Sequence, residues 1–233
     1  MRLDGKRALV TGGARRIGAA IVESLTRAGA RVAIHCNRSL DEAKELQHRC
    51  PGSIVIEADL ADRDARHAIV PESARALGGL DILVNNASVW EASPLPEIEP
   101  SHWDRALELN LTAPFFLAQQ AGDIMKRDGS GVIVNLTDWG IRRPYTNQLA
   151  YFAAKGGLEA ATMGLARALS PEVRVLAVAP GAVLVENEQE AAEANLVQRI
   201  GSAENIADTV LFAVSNDFVT GTTLTVDGGR SLA

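Results

Sequence analysis

Tyr151 and Lys155 stand four residues apart in AYFAAKGGLEAATMGLARALS, a stretch with helical apolar spacing, and Asp138 lies thirteen residues upstream in NLTDWG. Positions i and i+4 share one face of a helix, so the lysine ammonium can sit beside the tyrosine phenol. A free phenol titrates near ~10 and carries protons poorly at neutral pH, whereas a neighbouring cation favours the phenolate and lowers that value. The pair therefore reads as a general acid. A solvated tyrosine beside a surface lysine satisfies the same two letters, and an acid after a strand can equally be an ordinary loop residue.

A second constellation lies near the start. Thr11-Gly12-Gly13-Ala14-Arg15-Arg16-Ile17-Gly18 follows an apolar run and leads straight into a helical pattern. Glycines at a strand-to-helix turn let the backbone approach a pyrophosphate, whose charge is favoured at the helix N-terminus. Arg16 occupies the place of the usual middle glycine, where its cation suits either cofactor phosphates or a ligand lying on the nicotinamide; a tight turn carrying two exposed arginines is the simpler alternative. A site for NAD offers an acid about 20 residues further on, at the end of the second strand. Here that place reads His35-Cys36-Asn37-Arg38-Ser39. Arg38 and Ser39 suit a 2′-phosphate, which favours NADPH. Ser39 also opens an S-x-x-E capping box with Glu42, and the two roles can coexist.

The elements that must position these residues alternate from end to end. RALVT, RVAIH, SIVIEA, DILVNN, GVIVNL, VRVLAVA and TLTVD read as strands. RIGAAIVESLTRAGA, LDEAKELQHRC, DARHAIVPESARAL, SHWDRALELNLTAPFFLAQQAGDIMKR, LAYFAAKGGLEAATMGLARALS and AENIADTVLFAVS read as helices. The apolar runs lack clean alternation, as expected for a parallel sheet covered on both faces. The reading is an α/β fold with a doubly wound, seven-stranded parallel sheet in a single domain over 1–233, its cofactor half at about 1–130 and its catalytic and substrate half at about 131–233. No linker, repeat or low-complexity tract divides the chain. The least regular segment, Gly181 to Gly201, follows the sixth strand, where a ligand lid belongs in such a fold.

Composition narrows the partners. A net charge of −6 without a basic run argues against nucleic acid or an anionic membrane and for a small molecule. Cys36 and Cys50 make no disulfide framework, and His35, His48, His67 and His102 lack metal-site spacing, so no metal is expected. The opening MRLDGKRALV has no signal-like apolar block, so a reduced, cytoplasmic protein is expected.

Taken in order, TGGARRIG, Asp59 in ADL, Asn85-Asn86-Ala87, Asn110, Tyr151-x-x-x-Lys155, Pro180-Gly181 and the closing VTGTTLTVDGG resemble the short-chain dehydrogenase/reductase superfamily across almost the whole chain. Arg16, the HCNRS segment, NNAS in place of NNAG, and Asp138 where most relatives carry serine resemble its pteridine reductase and dihydromonapterin reductase branch. The compact length, TD before the loop and LVENE after Pro180-Gly181 resemble the bacterial dihydromonapterin reductases more than the longer protozoal enzymes.

The resemblance implies Asp138, Tyr151, Lys155 and Asn110 as catalytic residues, with Asn110 holding a water that links Lys155 to solvent; a polar residue satisfied within a helix pair is the alternative for Asn110. It implies NADPH held by Gly12, Arg15, Arg16, Ile17, His35, Asn37, Arg38, Ser39, Asp59, Leu60, Asn86, Ala87, Ser88, Thr137, Tyr151, Lys155, Pro180 and Gly181. It also implies a pterin held by Arg16, Ser88, Trp90, Asp138 and Tyr151, with Trp90 stacking on the ring and Trp139 and the 181–201 segment closing over it. A carboxylate would repel a ketone oxygen but suits a substrate with N–H donors or one needing a proton at a ring nitrogen. The implied reaction is hydride transfer to a C=N bond of a dihydropterin, such as dihydromonapterin, dihydrobiopterin or dihydrofolate. The rivals are an NADPH-dependent carbonyl reductase of the 3-oxoacyl or sugar type and a non-catalytic NADPH-binding regulator. A homotetramer, or else a dimer, is expected by analogy.

Overall fold

Short β-branched runs bounded by glycine and polar residues form the strands, and amphipathic stretches between them form the helices that cover both faces. In a computed structural model, which describes residues 3–92, 94–183 and 187–233, the strands are β1 (Arg7–Val10), β2 (Arg31–Cys36), β3 (Ile54–Glu57), β4 (Ile82–Asn85), β5 (Gly131–Leu136), β6 (Val173–Pro180) and β7 (Thr223–Val226). They form one parallel sheet in the order β3-β2-β1-β4-β5-β6-β7. Order reverses between β1 and β4, the switch point outside whose strand ends such folds bind ligands.

The helices are α1 (Arg16–Arg27), α2 (Leu40–Arg49), α3 (Arg63–Leu77), α4 (Pro100–Leu107), α5 (Ala113–Asp128), α6 (Leu149–Leu169), α7 (Glu188–Glu193) and α8 (Ala203–Ser215). Alternate strand residues face opposite cores. Val10, Ile82, Val134 and Val178 pack with α1, α2 and α8, while Leu9, Leu83, Ile133 and Val175 pack with α3, α5 and α6. None of the described helices is long and apolar enough to cross a membrane.

Two departures from the sequence reading have local causes. The run expected as one long helix over 101–127 divides into α4, a π-helical turn at Glu108–Thr112, and α5. Pro114 has no N–H to close an α-helical bond onto the Asn110 carbonyl, so the helix widens there. The segment expected as irregular after β6 contains α7, started by Asn187, whose side chain accepts from the Glu190 N–H. Of the LVENE motif, Leu184, Val185 and Glu186 lie outside the described residues.

A buried polar chain fixes α6 against the sheet. Asn85 of β4 donates to Asn135 of β5 at 2.9 Å, Asn135 donates to the Thr162 hydroxyl of α6 at 2.9 Å, and Thr162 donates to the Leu158 carbonyl. Helix α6 is the element that carries Tyr151 and Lys155.

Gly18 permits the close approach of α1 to the first turn: a Cβ there would lie 2.1 Å from the Gly12 carbonyl oxygen and 2.7 Å from Asn86 Nδ2. We expect Gly18→Ala to push α1 off the turn, lowering the thermal midpoint and weakening NADPH binding by about tenfold or more. A calorimetric Kd equal to that of the unchanged protein would show that this contact does not shape the site.

Candidate active site

The tips of β1 and β4 are tied together at the switch point. The Thr11 hydroxyl accepts from the Asn86 and Ala87 N–H groups, both at 3.0 Å, while Asn86 Nδ2 donates to the carbonyls of Thr11 at 2.9 Å and Gly12 at 3.0 Å. Below the turn, the Gly12 N–H donates to His35 Nδ1 at 3.0 Å, which leaves the proton on Nε2, and that nitrogen donates to the Ala58 carbonyl at 3.1 Å. His35 is thus a buried strut between the first turn and the end of β3. Burial lowers its pKa from 6.5 to about 4, so the imidazole is neutral.

These turns surround a cavity of about 590 Å³. Gly12, Arg15, Arg16, Ile17, His35, Asn37, Arg38, Ser39, Asp59, Leu60, Asn86, Ala87 and Ser88 all line it, as does Trp90. The other expected cofactor residues, Thr137, Tyr151, Lys155, Pro180 and Gly181, do not line it. They stand at or beyond the ends of β5 and β6 and on α6. Gly181 abuts Asp227 so closely that a Cβ would lie 2.4 Å from the Asp227 Cα.

The cavity suits a dinucleotide phosphate. Gly12 adopts φ +61°, which lets the turn fold tightly, and Arg15, Arg16 and Arg38 bring three cations to the lining. Arg16 holds φ +54° without being glycine, a strain of order 1–3 kcal/mol that persists where the surroundings enforce it and that clusters at ligand sites. Ser39 precedes α2, but its side chain makes no capping bond to the helix, so the expected capping box does not form. Ser39 lines the cavity instead.

Beside the Ser88 and Trp90 end of the cavity lie the reactive groups. Asp138, just beyond β5, divides its carboxylate between two donors: the Gly140 N–H to Oδ1 at 2.7 Å and the Tyr151 hydroxyl to Oδ2 at 2.9 Å. Gly140 leaves room for this turn, since a Cβ would come within 2.8 Å of the Phe152 ring. Lys155 is buried, with Nζ 5.7 Å from the Tyr151 ring centroid and donating to the Leu136 carbonyl at 2.7 Å. Trp90 stands over Tyr151 with ring centroids 4.5 Å apart at 72° and keeps 51% of its surface exposed.

The expectation that Lys155 lowers the phenol is corrected by these surroundings. Burial pushes the Tyr151 pKa well above its usual value, and the charge and hydrogen bond of Asp138 add to that; the Ser88 hydroxyl pulls weakly the other way. Burial also raises Asp138, against hydrogen bonds from Gly140 and Tyr151 and the charge of Lys155. Lys155 is lowered from 10.5 to about 8 by burial, partly offset by Asp138. The phenol therefore holds its proton and points it at a carboxylate.

Asn110 sits in the π-helical turn, fully buried. Its Oδ1 accepts from the Ser88 hydroxyl at 2.6 Å and the Val89 N–H at 3.2 Å, and its Nδ2 donates to the Val89 carbonyl at 3.1 Å. The Asn110 side chain is thus committed to the Ser88-Val89 loop and helps to place Ser88 and Trp90.

Residues 12–231 match the family described as enoyl-(acyl carrier protein) reductase. The chain belongs to the short-chain dehydrogenase/reductase superfamily. It is 37% identical to the L-xylulose reductase of Bos taurus, with 98% of each chain covered. It is 34% identical to the 3-oxoacyl-(acyl-carrier-protein) reductase of Staphylococcus aureus, over 96% of this chain and 97% of that one. Among solved structures, the FolM alternative dihydrofolate reductase 1 from Brucella canis, complexed with NADP, superposes with a TM-score of 0.93 at 35% identity, covering 100% of this chain and 97% of the other. A short chain dehydrogenase from Burkholderia cenocepacia in complex with NADP superposes with a TM-score of 0.94 at 36% identity, covering 100% of both.

Within this short-chain dehydrogenase/reductase, Tyr145 and Arg230 escaped the sequence reading, and Thr11 entered it only as the first residue of the turn, without its role as acceptor. Thr11 carried one signal, a hydroxyl closing an apolar strand. Tyr145 was legible only as one of two tyrosines, yet its ring lies 6.3 Å from Trp90 and 6.2 Å from Trp139. Arg230, whose guanidinium lies 5.3 Å from the Trp139 ring, follows a glycine pair near the end of the sequence and carried none.

His35 makes stability depend on pH. Its folded pKa, about 4, lies below the ordinary 6.5, so between those values the unfolded chain binds a proton that the folded chain refuses. Stability should rise with pH across that window, by up to about 3 kcal/mol, and be lost as acid is added. His35→Gln keeps a donor and an acceptor but cannot titrate, so its unfolding midpoint should vary less between pH 4 and 6.5. Parallel pH profiles for the two proteins would remove His35 as the cause.

Proposed function

We propose that this short-chain dehydrogenase/reductase is an NADPH-dependent reductase of a dihydropterin, yielding the tetrahydro form. The observation that carries the reading is the 2.9 Å hydrogen bond from the Tyr151 hydroxyl to Asp138, beside the half-exposed Trp90 that meets the Tyr151 ring edge-on. In a ketone reductase that place calls for a donor to the carbonyl oxygen, and a carboxylate there is repulsive. An aminopterin reverses the requirement, because its ring N–H groups donate to a carboxylate and its reduced nitrogen takes up a proton.

NADPH is the cofactor of this reading, since Arg38 and Ser39 line the cavity just beyond β2, where a site for NAD would carry an acid and this chain carries none. Bound there, it supplies the hydride. Asp138 accepts from the substrate's N–H donors and fixes the ring. Tyr151 passes its proton toward the adjacent nitrogen, directly or through Asp138, and buried Lys155 offsets the negative charge left behind. Trp90 excludes water from one side of the slot and Ser88 supplies a polar contact; Arg16 lines the same cavity.

The carbonyl reductase reading draws its support from the relatives named for xylulose and 3-oxoacyl reduction. NADPH oxidation with dihydromonapterin, dihydrobiopterin, dihydrofolate and a panel of ketones decides between them. We expect pterin turnover, and we expect Asp138→Ser to lower kcat/KM for it by about 100-fold while leaving NADPH affinity within about twofold. Turnover of ketones alone, or an unchanged pterin rate in the serine variant, refutes the assignment; binding without turnover of any substrate points to a regulator.

The same reading makes the enzyme a cytoplasmic homotetramer. Cys36 and Cys50 are buried free thiols, which suits a reducing compartment. Phe116 on α5 and Met163 on α6 expose apolar surface on one side of the chain, and Phe212 on α8 with Phe218 does so on another. Light scattering should give four times the mass of one chain, and Phe218→Asp with Phe212→Asp should reduce the assembly to dimers. A monomer at micromolar concentration would end this part of the proposal.

A further inference from the structure

The segment after β7 reaches both walls of the substrate side. The Arg230 guanidinium lies 5.3 Å from the Trp139 ring centroid, within cation–π range, while its Nη1 donates to the Ala191 carbonyl of α7 at 3.0 Å and to Asn195 Oδ1 at 3.5 Å. The Ala191 carbonyl belongs to the last turn of α7, where a helix leaves carbonyls without partners. The turn that presents Arg230 is itself fixed: Asp227 accepts from the Gly229 N–H at 3.0 Å and the Ser231 N–H at 2.8 Å. Gly228 and Gly229 pack so tightly on Val197 and Leu196 that a Cβ would lie 2.9 and 2.8 Å away.

From Arg230 a line of contacts runs into the site. Trp139 meets Tyr145 at 6.2 Å, Tyr145 meets Trp90 at 6.3 Å, and Trp90 meets Tyr151 at 4.5 Å. Trp139 also follows Asp138 directly, and the bond from Gly140 to Asp138 fixes the same turn. Three aromatic rings thus arch from the reactive phenol to the segment after β6, and Arg230 ties the far end of the arch to α7.

We propose that Arg230 is a positioning residue for the substrate: by holding Trp139 against Tyr145 and tying both to α7, it sets the width of the aromatic slot over Tyr151 and Asp138. The proposal rests on the reading that those two groups act on the substrate, and not on the substrate being a pterin. Lysine replaces it only in part, because an ammonium can bond the two oxygens but lacks the planar face that lies on an indole.

The test is steady-state kinetics of Arg230→Ala and Arg230→Lys, with the NADPH Kd and the thermal midpoint measured on the same samples. A dihydropterin and a small ketone both serve as substrates, and KM is read for whichever the unaltered enzyme reduces. A ketone-only enzyme would overturn the pterin assignment while leaving this test intact. We expect the alanine variant to raise KM about tenfold with kcat within about threefold and NADPH Kd within about twofold, the lysine variant to fall between, and free guanidinium to restore part of the loss. Trp139→Ala should raise KM similarly, and the Arg230→Ala, Trp139→Ala double variant should be no worse than either single one, because both act through one contact. An unchanged KM in both Arg230 variants, a loss of NADPH affinity and thermal midpoint in step with KM, or full multiplication of the two single effects would each overturn the proposal.

Discussion

The tie between the tips of β1 and β4 is the constraint on which the site depends. Thr11 and Asn86 exchange four hydrogen bonds across the switch point with the backbone of Gly12 and Ala87, so neither turn can move alone. The tie fixes the floor of the cavity and, through the short run from Ala87 to Trp90, also fixes where the substrate wall begins. Asn110 completes the attachment from the other side by holding Ser88 and Val89. Phosphate turn, substrate wall and sheet are therefore tied together by hydrogen bonds, and a fixed geometry is what transfer between two bound molecules requires.

Against that frame the chemistry is set by burial. Tyr151 and Lys155 are buried and Asp138 is half-buried, and each is shifted in the direction that disfavours its charged form. Their mutual interactions only partly restore the charges of Asp138 and Lys155 and further disfavour that of Tyr151. The result is a protonated phenol donating to a carboxylate, with an ammonium anchored to the backbone behind it. Such an arrangement keeps the phenol proton in place and offers a carboxylate to N–H donors, and it is poorly suited to cradle an oxyanion.

Much of this was legible in the residues. The seven strands and most helices follow from apolar runs and their period, since both faces of the sheet are covered and the pattern is strong. The phosphate turn was legible because glycine spacing reports backbone geometry directly, and thirteen residues named for the cofactor line one cavity. The π-helical turn was missed because apolar period continues through Asn110; only Pro114 marked it. The capping box at Ser39 was a pattern of letters that the local backbone did not realise.

By itself the sequence determined the sheet, the phosphate turn and the helical register that puts Tyr151 and Lys155 on one face, because each of these is local and periodic. The tertiary structure alone decided which charges survive and what surrounds them. The sign of the Tyr151 shift depends on how deeply α6 buries it and on Asp138 arriving from β5. The role of His35 depends on Gly12 and Ala58 lying on either side of it, and the place of Arg230 on two distant segments meeting at Trp139. Burial and convergence of remote chain are sums over the whole fold, and no window of residues carries them.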